Sequence, residues 1–132
     1  MVDTLGLLLK IVVTEGDVGE RTGAEWLLDA LSGRFPRLKL VWVDGGFSGR
    51  EFIARIQRDC GLTLEVVKRP EDADGFVLVH WRWIVERTFA WLLNYRRLSK
   101  DYEYTVYSAD AMVYAAMLHL MLRRLARLQA LP

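Results

Sequence analysis

The stretch that decides the fold is LKLVWVDGGF, residues 38–47, in which an apolar run ends at Asp44 and is followed by Gly45 and Gly46. A run of this length and composition predicts a buried strand, and two glycines directly after it predict a turn. In an open α/β sheet, ligands bind at the carboxyl ends of the strands. Asp44 is therefore a candidate metal ligand, although an acid before two glycines is also a common turn residue.

A second candidate lies in WRWIVERTFAWLLN, where the apolar spacing predicts an amphipathic helix at Trp81–Asn94. At about 100° per residue, Glu86 shares a face with Arg82, and the opposite face is largely apolar. The residues of that opposite face are Ile84, Thr88, Trp91, Leu92 and Tyr95. Glu86 is therefore predicted to project away from the packed side and to supply a second carboxylate to a metal site. The alternative is an ordinary surface pair with Arg82.

Basic residues continue along the chain from Glu86. If the helix extends beyond Asn94, Arg97 falls near the face of Glu86, and neighbouring cations widen the same surface. We name this set the basic track, and it consists of Arg82, Arg87, Arg96, Arg97 and Lys100. A row of cations suits the phosphate backbone of a nucleic acid, so the track is a candidate DNA-binding surface. The alternative is a solvated face.

The remaining patterns predict an α/β order, with a mixed sheet flanked by helices in a single domain spanning residues 1–132. Predicted helices are Thr22–Leu31, Glu51–Cys60 with Ser48 as its cap and Gly61 at its end, and a mostly buried C-terminal helix capped by Ser108. Predicted extended segments are a hairpin or bent strand at Val2–Val13, a strand at Leu62–Val67 and, after a charged loop at Lys68–Gly75, a short piece at Phe76–Val79.

Composition limits the class of protein. The chain has 132 residues, 52% hydrophobic and 27% charged, a balance typical of one globular domain. The formal net charge is +1, but residues 1–30 hold six acids against Lys10 and Arg21, so the remainder is basic. The single cysteine, Cys60, excludes an internal disulfide and favours a cytoplasmic setting. The longest apolar run, Ala111–Leu122, is too short to cross a bilayer, so no membrane partner is expected.

The chain begins directly with an apolar segment. The first apolar segment begins one residue after Met1, and no element precedes it that could pair with it. We therefore expect the chain to be a fragment whose sheet lacks an edge at the N-terminus.

These same residues carry a resemblance to a known family. The segments concerned are, in order, VDTLGLLLKIVVTEGDVGERTGAEWLL, FPRLKLVWVDGGFSG, LEVVKRP, RWIVERTFAWLLNYRRLSKDYE and AMVYAAMLHLMLRRLA. They cover nearly the whole chain and resemble the C-terminal part of bacterial insertion-sequence transposases of the IS5 and IS4 type. The resemblance implies a ribonuclease-H-like catalytic core with a DDE triad that holds two divalent metal ions, Mg²⁺ or Mn²⁺.

The resemblance also implies roles for individual residues. Asp44 in WVDGGF matches the second acid of the triad, and Glu86 in RWIVERTF matches the third. Arg82 matches the arginine of the family's Arg-x-x-x-Glu signature, which family members use near the DNA.

Two features depart from the family pattern. The broader signature has a tyrosine and a lysine where this chain has Val79 and Leu93. The family's first acid lies on a strand upstream of the VDTLGL segment, and that strand is outside this sequence. Asp3, within the segment, is instead expected to be a turn residue.

The resulting hypothesis is a truncated DDE transposase catalytic domain, nucleoid-associated in the cytoplasm, that cleaves insertion-sequence ends and joins them to target DNA with Mg²⁺ or Mn²⁺. Because the first triad acid is missing, the chain alone is expected to be inactive. Expected partners are DNA and either a second copy of the chain or a full-length transposase. Two alternatives stay open: a non-catalytic DNA-binding or dimerising remnant, and an unrelated metal-dependent phosphohydrolase.

Overall fold

The chain has a mixed α/β structure, which confirms the predicted fold class at that level. The computed structural model describes residues 1–67 and 81–130, so the predicted loop at Lys68–Gly75 and the extended piece at Phe76–Val79 lie outside the described residues. Within the described ranges, the helices are α1 (Glu20–Leu31), α2 (Arg50–Cys60), α3 (Arg82–Leu93) and α4 (Val106–Gln129). The strands are β1 (Leu40–Val43) and β2 (Thr63–Val66), and short 3-10 helices occur at Gly45–Phe47 and Arg96–Leu98.

The chain divides into two compact units, which are described separately. The central unit is Gly16–Trp83 and contains α1, β1, α2 and β2. The terminal unit combines Met1–Glu15 with Ile84–Pro132, and it contains α4 and most of α3.

The sheet of the central unit is parallel. β1 and β2 pair with Val41 opposite Leu64 and Val43 opposite Val66. The helix α2 connects them, as parallel pairing requires, because a parallel strand can only be reached by a crossover. The carboxyl ends of both strands therefore lie at one edge of the sheet, and Asp44 directly follows β1 at that edge.

Helices cover this sheet through their apolar faces. α1 packs on α2, and α2 packs on β2. The buried residues are Leu28 and Leu31 of α1 and Phe52 and Ile56 of α2, with Ile56 only 1% exposed. Their spacing of three and four residues places each pair on one helix face, as the sequence pattern predicted.

The start of α2 differs from the prediction, whereas its end agrees. The N-cap is Gly49 without a side-chain cap, so the prediction of Ser48 as the cap is wrong. Ser48 instead closes the preceding 3-10 helix, because its N–H donates to the Gly45 carbonyl at 3.1 Å. Gly61 ends α2 in the left-handed conformation, with φ of 66°, as predicted.

The first residues of the terminal unit form a tight turn. Val2 and Leu8 make an isolated antiparallel bridge. Asp3 Oδ1 accepts hydrogen bonds from two following backbone N–H groups at 2.8 and 2.9 Å, so Asp3 is the turn residue that we expected. The hairpin turn is thus present, but the strand predicted to continue to Val13 is wrong. Within the described residues no neighbouring strand pairs with that segment, so its β propensity alone does not make a strand.

The long helix α4 starts earlier than predicted. Its N-cap is Thr105, whose Oγ1 accepts a hydrogen bond from the Ser108 N–H at 3.2 Å, so the prediction of Ser108 as the cap is wrong. Thr105 has the extended backbone of an N-cap, with φ of −128° and ψ of 150°.

The burial of α4 also differs from the prediction. Ala116 and Met117 are buried in a cluster with Leu92 of α3. Leu118 and Leu125, on another face, are 57% and 55% exposed. The prediction of a mostly buried helix is therefore wrong, because only one face of α4 packs within the described chain.

Candidate functional site

Asp44 is held in one orientation at the end of β1. It is the N-cap of the 3-10 helix Gly45–Phe47, and its Oδ1 accepts a hydrogen bond from the Gly46 N–H at 2.9 Å. A Cβ at position 46 would lie 3.1 Å from Asp44 Oδ1, a tight contact that would require Asp44 to shift slightly, so glycine favours this approach. The side chain is exposed. Asp44 therefore presents a fixed carboxylate at the sheet edge where ligands bind in open α/β sheets.

An arginine that the sequence analysis did not select holds the same turn. Arg21 of α1 donates from Nε and Nη2 to the Gly46 carbonyl at 3.3 and 3.2 Å. Its Nη2 also donates to the Ser48 carbonyl at 2.7 Å. The sequence offered one weak signal, since Arg21 is the only arginine in an otherwise acidic stretch of residues 1–30.

The helix α3 presents the two faces that its sequence predicts. Ile84, Thr88 and Leu92 are buried, whereas Glu86 and Arg82 are exposed. Glu86 therefore lies on the exposed face of α3, opposite the buried residues Ile84, Thr88 and Leu92.

The position of α3 is set by contacts with the N-terminal turn. Thr88 Oγ1 donates to the Gly6 carbonyl at 2.8 Å and contacts the Ile84 carbonyl at 3.0 Å. Arg87 Nη2 donates to the Leu5 carbonyl at 3.0 Å, and its guanidinium lies 4.8 Å from the centre of the Trp91 ring. Arg87 and Thr88 directly follow Glu86 in the chain. Their contacts with the N-terminal turn therefore hold the part of α3 that carries Glu86.

The basic track is broken by the end of α3. The helix stops at Leu93, within one residue of the predicted end at Asn94, and Tyr95 has an extended backbone with φ of −88° and ψ of 122°. The condition that the helix extends beyond Asn94 is therefore not met, and Arg97 does not lie on the helical face of Glu86. Tyr95 turns instead toward α4, where its hydroxyl lies 2.9 Å from His119 Nδ1. Tyr95 is also one of the partly buried residues that pack against the cluster of Leu92, Ala116 and Met117.

The last three members of the track are all exposed. Arg97 Nη2 bonds Glu103 Oε1 at 2.5 Å, so part of its charge is balanced locally. Arg96 and Lys100 make no side-chain ion pair among the described residues. Their charges are therefore not balanced by an ion pair within the described residues.

The donor chemistry fits a divalent metal, but the number of donors is small. Carboxylate oxygens are the ligands that Mg²⁺ and Mn²⁺ prefer. Asp44 belongs to the central unit and Glu86 to the terminal unit. Within residues 1–67 and 81–130, no group of three His, Cys, Asp or Glu side chains lies together as a metal site. The described residues thus contain no complete set of metal ligands, and the roles of Asp44 and Glu86 stay predictions.

Cys60 is not suited to nucleophilic chemistry. Burial raises the pKa of its thiol, and the Asp29 carboxylate, whose Oδ1 lies 3.4 Å from Sγ, raises that pKa further. A thiol with a raised pKa has less of the reactive thiolate at neutral pH.

Comparison with known proteins assigns the family. Residues 1–121 match the family described as the transposase DDE domain. The chain belongs to this family. The predicted resemblance to insertion-sequence transposases is therefore confirmed.

A transposase-domain relative is described as a transposase for insertion sequence element IS402 from Burkholderia cepacia. The identity is 33% over 108 residues, which cover 76% of this chain and 50% of the relative. This transposase-family chain thus spans about half the length of the curated relative it matches. No solved structure matches the chain significantly. None of the described helices is long and apolar enough to cross a membrane.

Proposed function

We propose that this chain is the C-terminal part of a ribonuclease-H-like catalytic domain that cleaves and joins DNA at insertion-sequence ends. Membership of the transposase DDE family supports this proposal. The observation that carries it is Asp44, an exposed carboxylate fixed by Gly46 at the carboxyl edge of a parallel sheet. Residues 1–132 would form one partial catalytic domain, and the first acid of the triad would come from a segment outside this sequence.

Asp44 and Glu86 would hold the divalent cations in this proposal. Bound Mg²⁺ or Mn²⁺ would supply charge stabilisation and activation of the attacking oxygen for phosphodiester cleavage. The chain's own contribution is to hold Asp44 in a single orientation and to place Glu86 on an outer helix face fixed by the N-terminal turn. The basic track would bind the DNA backbone, which positions the substrate but carries no sequence information.

The direct test joins the chain to an upstream segment that carries the first acid of the proposed triad. We expect the chain joined to the N-terminal segment of a close relative to nick DNA bearing the cognate ends in Mg²⁺. Asp44→Asn or Glu86→Gln should each abolish nicking while leaving DNA binding largely intact, because the acids act at the reacting oxygens and the cations hold the backbone. Asp17→Asn is the matched control, since Asp17 is also an exposed acid of the central unit.

The outcomes separate the competing functions. Nicking that persists in Asp44→Asn would refute the proposed site. DNA binding without nicking in the joined protein would indicate a non-catalytic remnant, and hydrolysis of small phosphate esters without DNA affinity would indicate a phosphohydrolase.

The DNA-binding part of the proposal has its own test. The affinity for duplex DNA should fall with salt by about 0.9 log units per log unit of salt for each phosphate contacted. Replacing both Arg96 and Lys100 with Ala should therefore flatten the slope by about 1.8. The control replaces Arg34 and Arg37, which are exposed cations of the central unit, with Ala. If the salt dependence of DNA affinity were equal in the wild type and in the Arg96 and Lys100 variant, the proposal that these two residues contact DNA phosphates would be refuted.

A further inference from the structure

We propose that Arg21 is a positioning residue for Asp44. It holds the turn that orients the Asp44 carboxylate, and it does so from a different helix, α1. The inference rests on the proposed function, since it matters only if Asp44 is a metal ligand.

The geometry places Gly46 between the two side chains. The N–H of Gly46 donates to Asp44 Oδ1 at 2.9 Å, and its carbonyl accepts from two nitrogens of Arg21. The N–H and the carbonyl of Gly46 belong to the two successive peptide groups that flank its Cα, so the two contacts together restrain both backbone torsions of Gly46. Arg21 thus restrains Gly46, whose N–H fixes Asp44 Oδ1, and acts on Asp44 through the turn.

A second contact anchors the end of the turn. Arg21 Nη2 also bonds the Ser48 carbonyl at 2.7 Å, so one guanidinium spans the two carbonyls of residues 46 and 48. This use depends on the planar fork of arginine, in which several N–H groups point in fixed directions. A lysine ammonium on a flexible stem does not reproduce that arrangement, which makes lysine an informative conservative variant.

The contacts of Arg21 with the turn are not part of the packing of the hydrophobic core. The side chain is exposed, and α1 is joined to α2 separately by the ion pair of Glu25 with Arg55 and by the packing of the two helices. Removing the Arg21 contacts should therefore leave the fold of the central unit intact while releasing the turn.

Arg21 could affect metal binding by repelling the cation or by positioning Asp44, and the two effects predict opposite changes in metal affinity when Arg21 is replaced. A cation near a metal site repels the metal, so removing its charge should leave metal affinity unchanged or raise it. Loss of a group that orients a metal ligand should instead lower metal affinity, commonly by 10-fold to 100-fold. Arg50 provides the matched control, because it is an exposed arginine that lines the same open depression as Arg21, and within the described part of the chain its side chain makes no hydrogen bond to the turn.

The experiment is an Mn²⁺ titration of the 132-residue chain, followed by paramagnetic NMR broadening of the Gly45 and Gly46 amides. We expect Arg21→Met to weaken Mn²⁺ binding by about 10-fold or more. Arg21→Lys should restore part of the affinity, and Arg50→Met should bind Mn²⁺ at least as tightly as the wild type. Urea midpoints measured in parallel should be similar for all three variants, which excludes general destabilisation as the cause.

A metal-free measurement tests the turn directly. In Arg21→Met the Gly46 amide should shift and exchange with solvent faster, because loss of the Arg21 contacts to the Gly46 and Ser48 carbonyls loosens the turn that holds the Gly46 N–H on Asp44. An unchanged Gly46 amide, or Mn²⁺ affinity equal to the wild type in Arg21→Met, would overturn the inference.

Asp44→Asn separates this inference from the proposed function. If Asp44→Asn binds Mn²⁺ as the wild type does, the assignment of Asp44 fails, and the role of Arg21 in metal binding fails with it. If Asp44→Asn loses Mn²⁺ while Arg21→Met keeps it, only the role of Arg21 fails.

Discussion

The contact between Gly6 and α3 allows a quantitative prediction about the segment that carries Glu86. Gly6 has φ of +78°, and a Cβ there would lie 2.8 Å from Thr88 Oγ1 and 3.0 Å from the Trp91 ring. Gly6→Ala should therefore cost about 1–2 kcal/mol for the left-handed backbone. Overpacking against Thr88 and Trp91 should add about 1–3 kcal/mol, because both side chains are held by their own contacts.

Gly33→Ala is the control that isolates the packing cost. Gly33 has a similar φ of +72°, but a Cβ there meets nothing within 4 Å. We expect Gly33→Ala to show only the backbone cost, about 1–2 kcal/mol. The excess for Gly6→Ala over Gly33→Ala should then be about 1–3 kcal/mol in the free energy of unfolding.

The assay is urea unfolding of both variants and the wild type, with Trp fluorescence as the signal. The free energies are compared only if the slope of the unfolding free energy against urea concentration is the same in all three proteins. NMR spectra of folded Gly6→Ala should show the largest shifts at Thr88 and in the adjacent turn of α3 that holds Glu86. Equal destabilisation by the two substitutions would refute the close packing of Gly6 on α3.

Two further predictions concern single contacts. Thr105→Ala should lower the free energy of unfolding by about 1 kcal/mol through loss of the α4 cap, whereas Thr105→Ser, which keeps the hydroxyl, should be nearly neutral in urea unfolding; equal effects would exclude the cap. Asp29→Asn should lower the raised pKa of Cys60, since it removes the negative charge beside the thiol, and the pH profile of iodoacetamide alkylation should shift to lower pH. An unshifted profile would show that the Asp29 carboxylate does not act on Cys60.

The sequence by itself determined the parts of the candidate site that depend on local patterns. An apolar run before Asp44, Gly45 and Gly46 predicted both β1 and its turn, because strand and turn preferences act over a few neighbouring residues. The spacing of Ile84, Thr88 and Leu92 predicted the outer position of Glu86, because helical periodicity alone determines which residues share a face.

The tertiary structure decided the features that depend on distant partners. Arg21 holds a turn 25 residues away, and Thr88 binds a carbonyl 82 residues away, distances along the chain at which no local pattern applies. The path of the chain after α3 likewise depends on a distant residue, since Tyr95 lies outside the helix and its hydroxyl contacts His119 of α4. Among the described residues, the β propensity of the segment up to Val13 does not produce a strand, because a strand requires hydrogen bonds from a second segment.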